Sequence, residues 1–147
     1  MTELKNASTS FIILLAEKHS IVIKQLRSGL RYEEEIEEVE PLLFFTLSQD
    51  IGKVIVRRET LGEKIVDFFN REDIDFGDYP AFSRKYFVIG EKPDLVREYF
   101  PKGLIQSLEK IDDIVVEVNG KIGLVRTEKN LTESLMYQLI DIGSEIS

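Results

Sequence analysis

The clearest structural signal in the chain lies in residues 114–126, which read IVVEVNGKIGLVR. Two short runs rich in β-branched residues flank Asn119-Gly120, a dipeptide that tolerates positive φ at both central positions of a type I′ turn. The stretch therefore predicts a β-hairpin with a two-residue loop, in which Val116 lies opposite Gly123. Apolar side chains would then point to both faces, so we expect the hairpin to lie inside a sheet or to be covered on both sides.

Further strands are predicted by the same kind of pattern. Residues 42–47 form an apolar, aromatic run of strand length. Residues 53–57 place Val54 and Val56 on one side, and residues 86–89 form another short apolar run. We expect the first two of these stretches to be core strands.

The N-terminal third of the chain allows more than one interpretation. Residues 1–10 are small and polar without periodicity, so we expect a flexible tail. Residues 11–16 and 21–23 are short apolar runs rich in β-branched side chains, which favours two strands joined by a polar turn over a single amphipathic helix. Residues 32–40 carry six glutamates, and this composition favours a helix. The spacing of the residues in this segment also allows a strand. Pro41 is expected to end either element.

Helices are predicted where capping residues precede apolar residues at helical spacing. Residues 60–69 open with a T-x-x-E capping box and carry one apolar stripe. Pro93 and Pro101 each begin a short helix, because the missing N–H of proline costs nothing in a first turn. A second capping box, with Asn130 as the cap, predicts a C-terminal helix over residues 131–146.

These elements predict a flexible tail at residues 1–10 and a single globular domain at residues 11–147. Strands come first and a mixture of strands and helices follows, which favours an α+β fold with a mostly antiparallel sheet and helices packed on one face. The size agrees with this prediction, because 147 residues of which 43% are hydrophobic can fill one sizeable core.

Charge and the rare residue types exclude several functions. The 19 basic and 27 acidic residues give a net charge of -8, which opposes attraction to the phosphates of nucleic acids. The lack of cysteine excludes disulfides and thiolate chemistry, and favours the cytoplasm or the cytoplasmic side of a membrane. The longest apolar run, residues 11–16, is far shorter than the roughly 20 residues that cross a bilayer.

Residues suited to catalysis or cofactor binding are few and unclustered. His19, the single histidine, is interpreted as a polar turn residue rather than a general base. Asp73, Asp75 and Asp78 lack the EF-hand spacing of glycine and glutamate, and the sequence has neither a Walker A nor a G-x-G-x-x-G loop. The glutamates of residues 32–40 are interpreted as a solvated face that could also meet a basic partner. We therefore predict no catalytic residue, no metal and no cofactor.

Four short motifs follow one another in the second half of the chain. They are I-D-F ending at Phe76, P-x-F-S ending at Ser83, Y-x-[LV]-x-G ending at Gly90 and V-R-x-x-F ending at Phe100. In order and spacing this series resembles the C-terminal soluble region of a family of uncharacterised bacterial proteins, over residues 73–146. Members of that family often carry membrane segments ahead of this region and have no established activity. The resemblance thus implies membrane contact only through a segment absent from this chain.

The resemblance supplies candidate binding positions but no catalytic residue. We expect the candidate positions to have architectural roles. Phe82 would fill the core, Asp75 or Ser83 would cap backbone amides, and Arg97 would pair with an aspartate to hold the loop to its helix. The candidate positions are Asp73, Asp75, Phe76, Tyr79, Phe82, Ser83 and Arg97.

The sequence allows three classes of function. The leading prediction is a noncatalytic interaction or scaffold domain whose partner is a protein, because reactive groups are scarce. The alternative is a small-ligand or lipid-binding domain, which requires an apolar cavity between the sheet and the C-terminal helix. An enzyme is less favoured, since it would need a carboxylate or His19 with a shifted pKa in a cleft.

Overall fold

Most apolar runs of the described residues form strands of one sheet. A computed structural model describes residues 2–5, 10–58, 73–127, 129 and 131–146, so the helix predicted for residues 60–69 lies outside the described residues. The strands are β1 (Thr2–Lys5), β2 (Ser10–Gln25), β3 (Arg31–Thr46), β4 (Lys53–Arg58), β5 (Tyr86–Gly90), β6 (Ile114–Asn119) and β7 (Ile122–Thr127). Within these residues the sheet has seven strands in the order β1-β2-β3-β7-β6-β4-β5, and every neighbouring pair is antiparallel.

Helices occupy much of the second half of the described chain. They are α1 (Pro80–Lys85), α2 (Pro93–Tyr99), α3 (Lys102–Lys110) and α4 (Glu133–Glu145). Pro93 lies in the first turn of α2, as predicted, whereas Pro101 is the N-cap of α3 and lies just before it. α3 packs against α4, and α4 packs against β3. None of the helices that the structure describes is both long enough and apolar enough to span a membrane.

The helices cover one face of the sheet. Alternate residues of β6 and β7 are buried in the same core as α3 and α4, while on the opposite face Ile122 is exposed and Leu124 is half-buried. The predicted α+β fold, with an antiparallel sheet and helices on one face, is confirmed. The core residues of these four elements are Ile114, Val116, Val118, Val125, Leu104, Ile105, Leu108, Leu135, Leu139 and Ile142.

Two glycines allow aromatic rings to lie directly on the backbone. Gly123 of β7 is the cross-strand partner of Phe45 in β3, and a Cβ at this position would overlap the Phe45 ring. Gly143 of α4 contacts Phe11 of β2, where a Cβ would lie 2.6 Å from the ring. Both rings are buried, so these contacts close the core between the sheet and α4.

The hairpin predicted for residues 114–126 is present, but its predicted register is wrong. Val116 lies opposite Val125 instead of Gly123, and the two-residue loop is Gly120-Lys121. Gly120 has a φ of 67°, as expected for the first central position of a type II′ turn. The type I′ prediction placed Asn119 in the loop, whereas Asn119 is the last residue of β6.

The N-terminal third differs most from the predictions. Thr2–Lys5 falls in the predicted flexible tail, but it pairs with β2 as an additional strand. Residues 11–23, predicted as two strands with a turn, lie in one uninterrupted strand. The polar residues 17–20 are tolerated within this strand because this part of β2 is solvated, so polarity there does not require a turn.

Residues 32–40 form a strand and not a helix. β3 runs from Arg31 to Thr46 and continues through Pro41, so the prediction that Pro41 ends the element is wrong. The Val39 carbonyl, two residues earlier and therefore on the same edge as Pro41, accepts a hydrogen bond from the Leu131 N–H at 3.3 Å. This edge faces away from β2, so the missing N–H of Pro41 removes no hydrogen bond between β2 and β3.

The C-terminal helix is shorter than predicted and has a different cap. α4 begins at Glu133, and the Leu135 N–H donates to Thr132 Oγ1 at 3.1 Å. Thr132 is therefore the N-cap, while the predicted cap, Asn130, lies outside the described residues. The predicted apolar stripe is confirmed, because the buried residues of α4 include Leu135, Leu139 and Ile142.

Candidate functional site

A two-stranded arm extends from the sheet. β2 and β3 pair along almost their whole length, but β1 covers β2 only up to Ile13 and β7 covers β3 only from Leu42. Among the described strands, residues 16–40 therefore have only each other as ladder partners, and we call this segment the arm. Its ten cross-strand pairs extend over about 30 Å.

The tip of the arm exposes apolar side chains. Ile21, Ile23 and Leu30 are 71%, 67% and 64% exposed, and Leu26 is 48% exposed. Ile21 and Ile23 lie on one face of β2, and Leu26 and Leu30 face each other across the turn, where the Leu26 N–H donates to the Leu30 carbonyl at 2.8 Å. A single exposed apolar residue is common, but these four residues, together with the 37%-exposed Val22, form a group that is typical of an interaction surface.

Negative charge is concentrated on one strand of the arm. Six of the nine residues in 32–40 are glutamate, whereas the β2 part of the arm carries Lys18 and Lys24. Lys24 forms an ion pair with Glu34 across the strands. The hydrogen bond between these two side chains raises the pKa of the Lys24 ammonium above its ordinary value. The other glutamates leave the β3 strand of the arm strongly acidic.

His19 lies in the middle of β2 and not in a turn, which corrects the prediction. Its Nδ1 lies 3.5 Å from Oε1 of its cross-strand partner Glu37, and its Nε2 lies 4.0 Å from Glu17 Oε2. His19, Glu35 and Glu37 bring possible metal-ligand atoms to within 4.8 Å of one another. All three side chains are exposed, so packing and buried hydrogen bonds do not hold them in a metal-binding geometry. The sequence prediction missed this group because strand register alone brings its members together.

Several of the predicted site positions organise the loop before β5. Asp73 Oδ1 accepts a hydrogen bond from the Val88 N–H at 2.7 Å. Ser83 Oγ accepts from the Phe76 N–H at 3.0 Å, which confirms the predicted capping role of Ser83. These bonds attach the loop to the sheet at one end and to α1 at the other.

Arg97 connects this loop to α2 through the backbone. Its Nε lies 3.4 Å from the Asp75 carbonyl oxygen, and its Nη1 lies 3.4 Å from Asp94 Oδ1. The predicted contact between Arg97 and the loop is therefore present, but its carboxylate partner is Asp94 on the same helix. Both contacts are solvent-exposed, so we assign them a modest stabilising role.

The aromatic members of the motifs fill the core. Phe82 is fully buried, with ring centroids 5.5 Å from those of both Phe76 and Tyr86. Tyr79 is half-buried against the same core, and the buried Tyr86 hydroxyl donates to the Ile111 carbonyl at 2.6 Å. Burial also raises the pKa of the Tyr86 phenol. These contacts are structural, and the use of the candidate positions in binding stays a prediction.

Side chains fill the interface between the sheet and α4. Leu139 and Ile142 are fully buried there. In the part of the chain that the structure describes, a cleft of about 560 Å³ lies beside Leu131, Met136 and Ile140 at the start of α4, and two smaller ones lie elsewhere. A cleft of about 410 Å³ separates α3 from α4, and a groove of about 390 Å³ crosses the helix-free face beside Ile55, Ile122 and Leu124. An apolar ligand would therefore find an open groove at this face.

Comparisons with known proteins give no relative for this chain. No protein-family model, no curated protein and no solved structure matches it. The resemblance of the four motifs to a family of uncharacterised bacterial proteins therefore stays a prediction. Function has to be inferred from the surface of the molecule, where the arm is the most distinctive feature.

Proposed function

We propose that this protein is a noncatalytic interaction domain that docks onto a protein partner through the arm. The observation that carries this proposal is the exposed apolar tip, formed by Ile21, Ile23, Leu26 and Leu30, beside a strand rich in glutamate. Apolar residues at the centre of a surface, with polar and charged residues around them, are typical of protein interfaces.

The physical properties of a long ribbon support this proposal. A two-stranded hairpin is marginally stable in water, because it buries little apolar surface. A partner that covers the tip removes apolar side chains from water and orders both strands. The arm therefore gains stability when it is bound, and a domain without a partner gains nothing from exposing these residues.

Two carboxylates of the described residues have pKa values shifted by local structural contacts. The pKa of the Asp50 carboxyl is lowered by a hydrogen bond from the Gly52 N–H, and that of Asp112 by a hydrogen bond from the Lys85 ammonium. Both carboxylates are exposed and stabilise local structure, whereas a general acid needs a raised pKa in a cleft. The cysteine-free composition favours the cytoplasm or the cytoplasmic side of a membrane as the location.

Site-specific photocrosslinking in the cells that produce the protein tests the proposal. A photoreactive residue at Ile21 or Ile23 is expected to give adducts of defined mass with a partner protein. The matched control position is Tyr137 on α4, which is 60% exposed but lies outside the arm, and it is expected to give no such adduct.

A variant with serine at the two isoleucine positions completes this experiment. With the photoreactive residue at Leu30, the Ile21→Ser, Ile23→Ser variant is expected to lose the adduct, because the apolar contact is removed. Circular dichroism should show an unchanged fold, since both side chains lie outside the core. Adducts from Tyr137 but none from the arm would contradict the proposal, and so would adducts that persist in the serine variant.

A further inference from the structure

The hydrogen bonds of the arm define which backbone groups point outward. The Leu26 N–H donates to the Leu30 carbonyl, so even-numbered residues of β3 face β2. The Val39 carbonyl accepts from the Leu131 N–H, on the side away from β2. Both contacts assign odd-numbered residues of β3 to its outer edge. The N–H and C=O groups of Arg31, Glu33, Glu35 and Glu37 therefore point away from β2.

This outer edge has no ladder partner in the described chain. β7 pairs with β3 only at residues 42–46, and the Leu131 contact ends the coverage at Val39. Residues 31–37 thus present a row of outward N–H and C=O groups at a strand edge. Such an edge is a ready template for another strand. Pro41 lies on the same edge beside this row, which shows that proline is compatible with an outward position of β3.

Charge determines which strand can add to this edge. A second copy pairing antiparallel about Glu35 would place Glu33 opposite Glu37, and like charges directly opposite each other are destabilising. A cationic strand would instead place lysine or arginine opposite Glu33, Glu35 and Glu37 on one face. On the other face, Tyr32 and Ile36 offer apolar contacts.

We infer that the outer edge of β3 at residues 31–37 binds an extended, lysine- or arginine-rich segment of a protein partner as an added β-strand. This inference rests on the proposed function and specifies how the partner is recognised. Backbone hydrogen bonds supply the strand pairing, and the glutamates select a positively charged segment.

The experiment uses a short peptide in which lysine alternates with valine, so that all the lysines lie on one face of a strand. Its binding to the full chain is measured by calorimetry and by NMR shifts of the amides of residues 31–37. A second peptide of the same sequence, N-methylated at alternate residues, keeps the charge but loses the N–H groups of one edge. We expect saturable binding of the first peptide, weakening as ionic strength rises, and at least about tenfold weaker binding of the second.

Two proline variants locate the edge. Glu35→Pro removes an outward N–H of β3 and is expected to weaken peptide binding about tenfold. Gln25→Pro is the matched control, because Gln25 is the cross-strand partner of Arg31, lies outside the apolar tip, and has its N–H pointing outward on the β2 edge. This control is expected to bind the peptide as the unmodified protein does. Amide exchange of the arm compares the stability of the hairpin in the two variants.

Several results would overturn the inference. Equal binding of the methylated peptide would show that charge alone holds it, and equal loss in both proline variants would show that the β3 edge is not the site. Lack of peptide binding would also show that the β3 edge is not the site. Photocrosslinked adducts from Ile21 and Ile23 would still support the proposed function in that case. Sedimentation should show a single mass at all concentrations. A self-associated species that Glu35→Pro abolishes would make a second copy the occupant.

Discussion

Replacing Gly123 by alanine tests the packing of the sheet on its core. A Cβ at this position would overlap the ring of Phe45, which is 1% exposed and packed within the core. Overpacking of this kind costs about 1–3 kcal/mol, and an off-rotamer ring adds about 1 kcal/mol. The lower backbone entropy of alanine in the unfolded chain offsets about 0.4–1 kcal/mol. We expect Gly123→Ala to lower the free energy of unfolding by about 2 kcal/mol, and Tm by about 4–8 °C.

Urea denaturation followed by circular dichroism measures this change. Gly77→Ala is the matched control, because nothing lies within 4 Å of a Cβ at this loop position, and its effect should stay within about 0.5 kcal/mol. Phe45→Leu removes the ring and permits a double-mutant cycle. In the Phe45→Leu background, Gly123→Ala should lower the free energy of unfolding by a smaller amount, with a coupling energy of about 1–2 kcal/mol. Wild-type stability of Gly123→Ala, or the same cost in both backgrounds, would refute the contact between ring and backbone.

Three further predictions concern capping, a buried hydroxyl and an ion pair, each measured by urea unfolding. Thr132→Ala should destabilise the protein by about 1 kcal/mol while Thr132→Ser keeps the cap, and equal stability of the two variants would contradict this role. Tyr86→Phe should lower the free energy of unfolding by about 1–2 kcal/mol, because the part-buried Ile111 carbonyl loses its hydrogen-bond donor. Above pH 10.0 the free energy of unfolding of the wild-type protein should fall further than that of Tyr86→Phe. The Tyr86 phenol ionises at this pH in the unfolded chain but stays neutral in the folded one. The lowered pKa of Asp112 stabilises the fold above pH 3.8, and this contribution should disappear as the pH falls through the folded-state pKa. Lys85→Met should flatten that part of the pH profile, and an unchanged profile would exclude the ion pair as its cause.

The candidate site could be predicted only in part. The abundance of glutamate in residues 32–40 is visible in the sequence, and so is the possibility of a basic partner. The exposed tip was not predicted, because the same isoleucines would be core residues if a further strand or helix covered them. The group around His19 also depends on register, since Glu35 and Glu37 approach it only across the β2–β3 ladder.

Local chemistry is sufficient to predict several elements of this protein. A proline begins α2, a glycine forms the turn between β6 and β7, and apolar spacing marks the buried side of α4, because each of these signals acts over a few residues. The state of residues 32–40 depends instead on distant residues. Glutamate favours a helix, but pairing with β2 and the neighbouring core strands makes this segment a strand that even continues through Pro41. The arm and its open edge follow from the unequal lengths of β1, β2, β3 and β7, which only the assembled sheet defines.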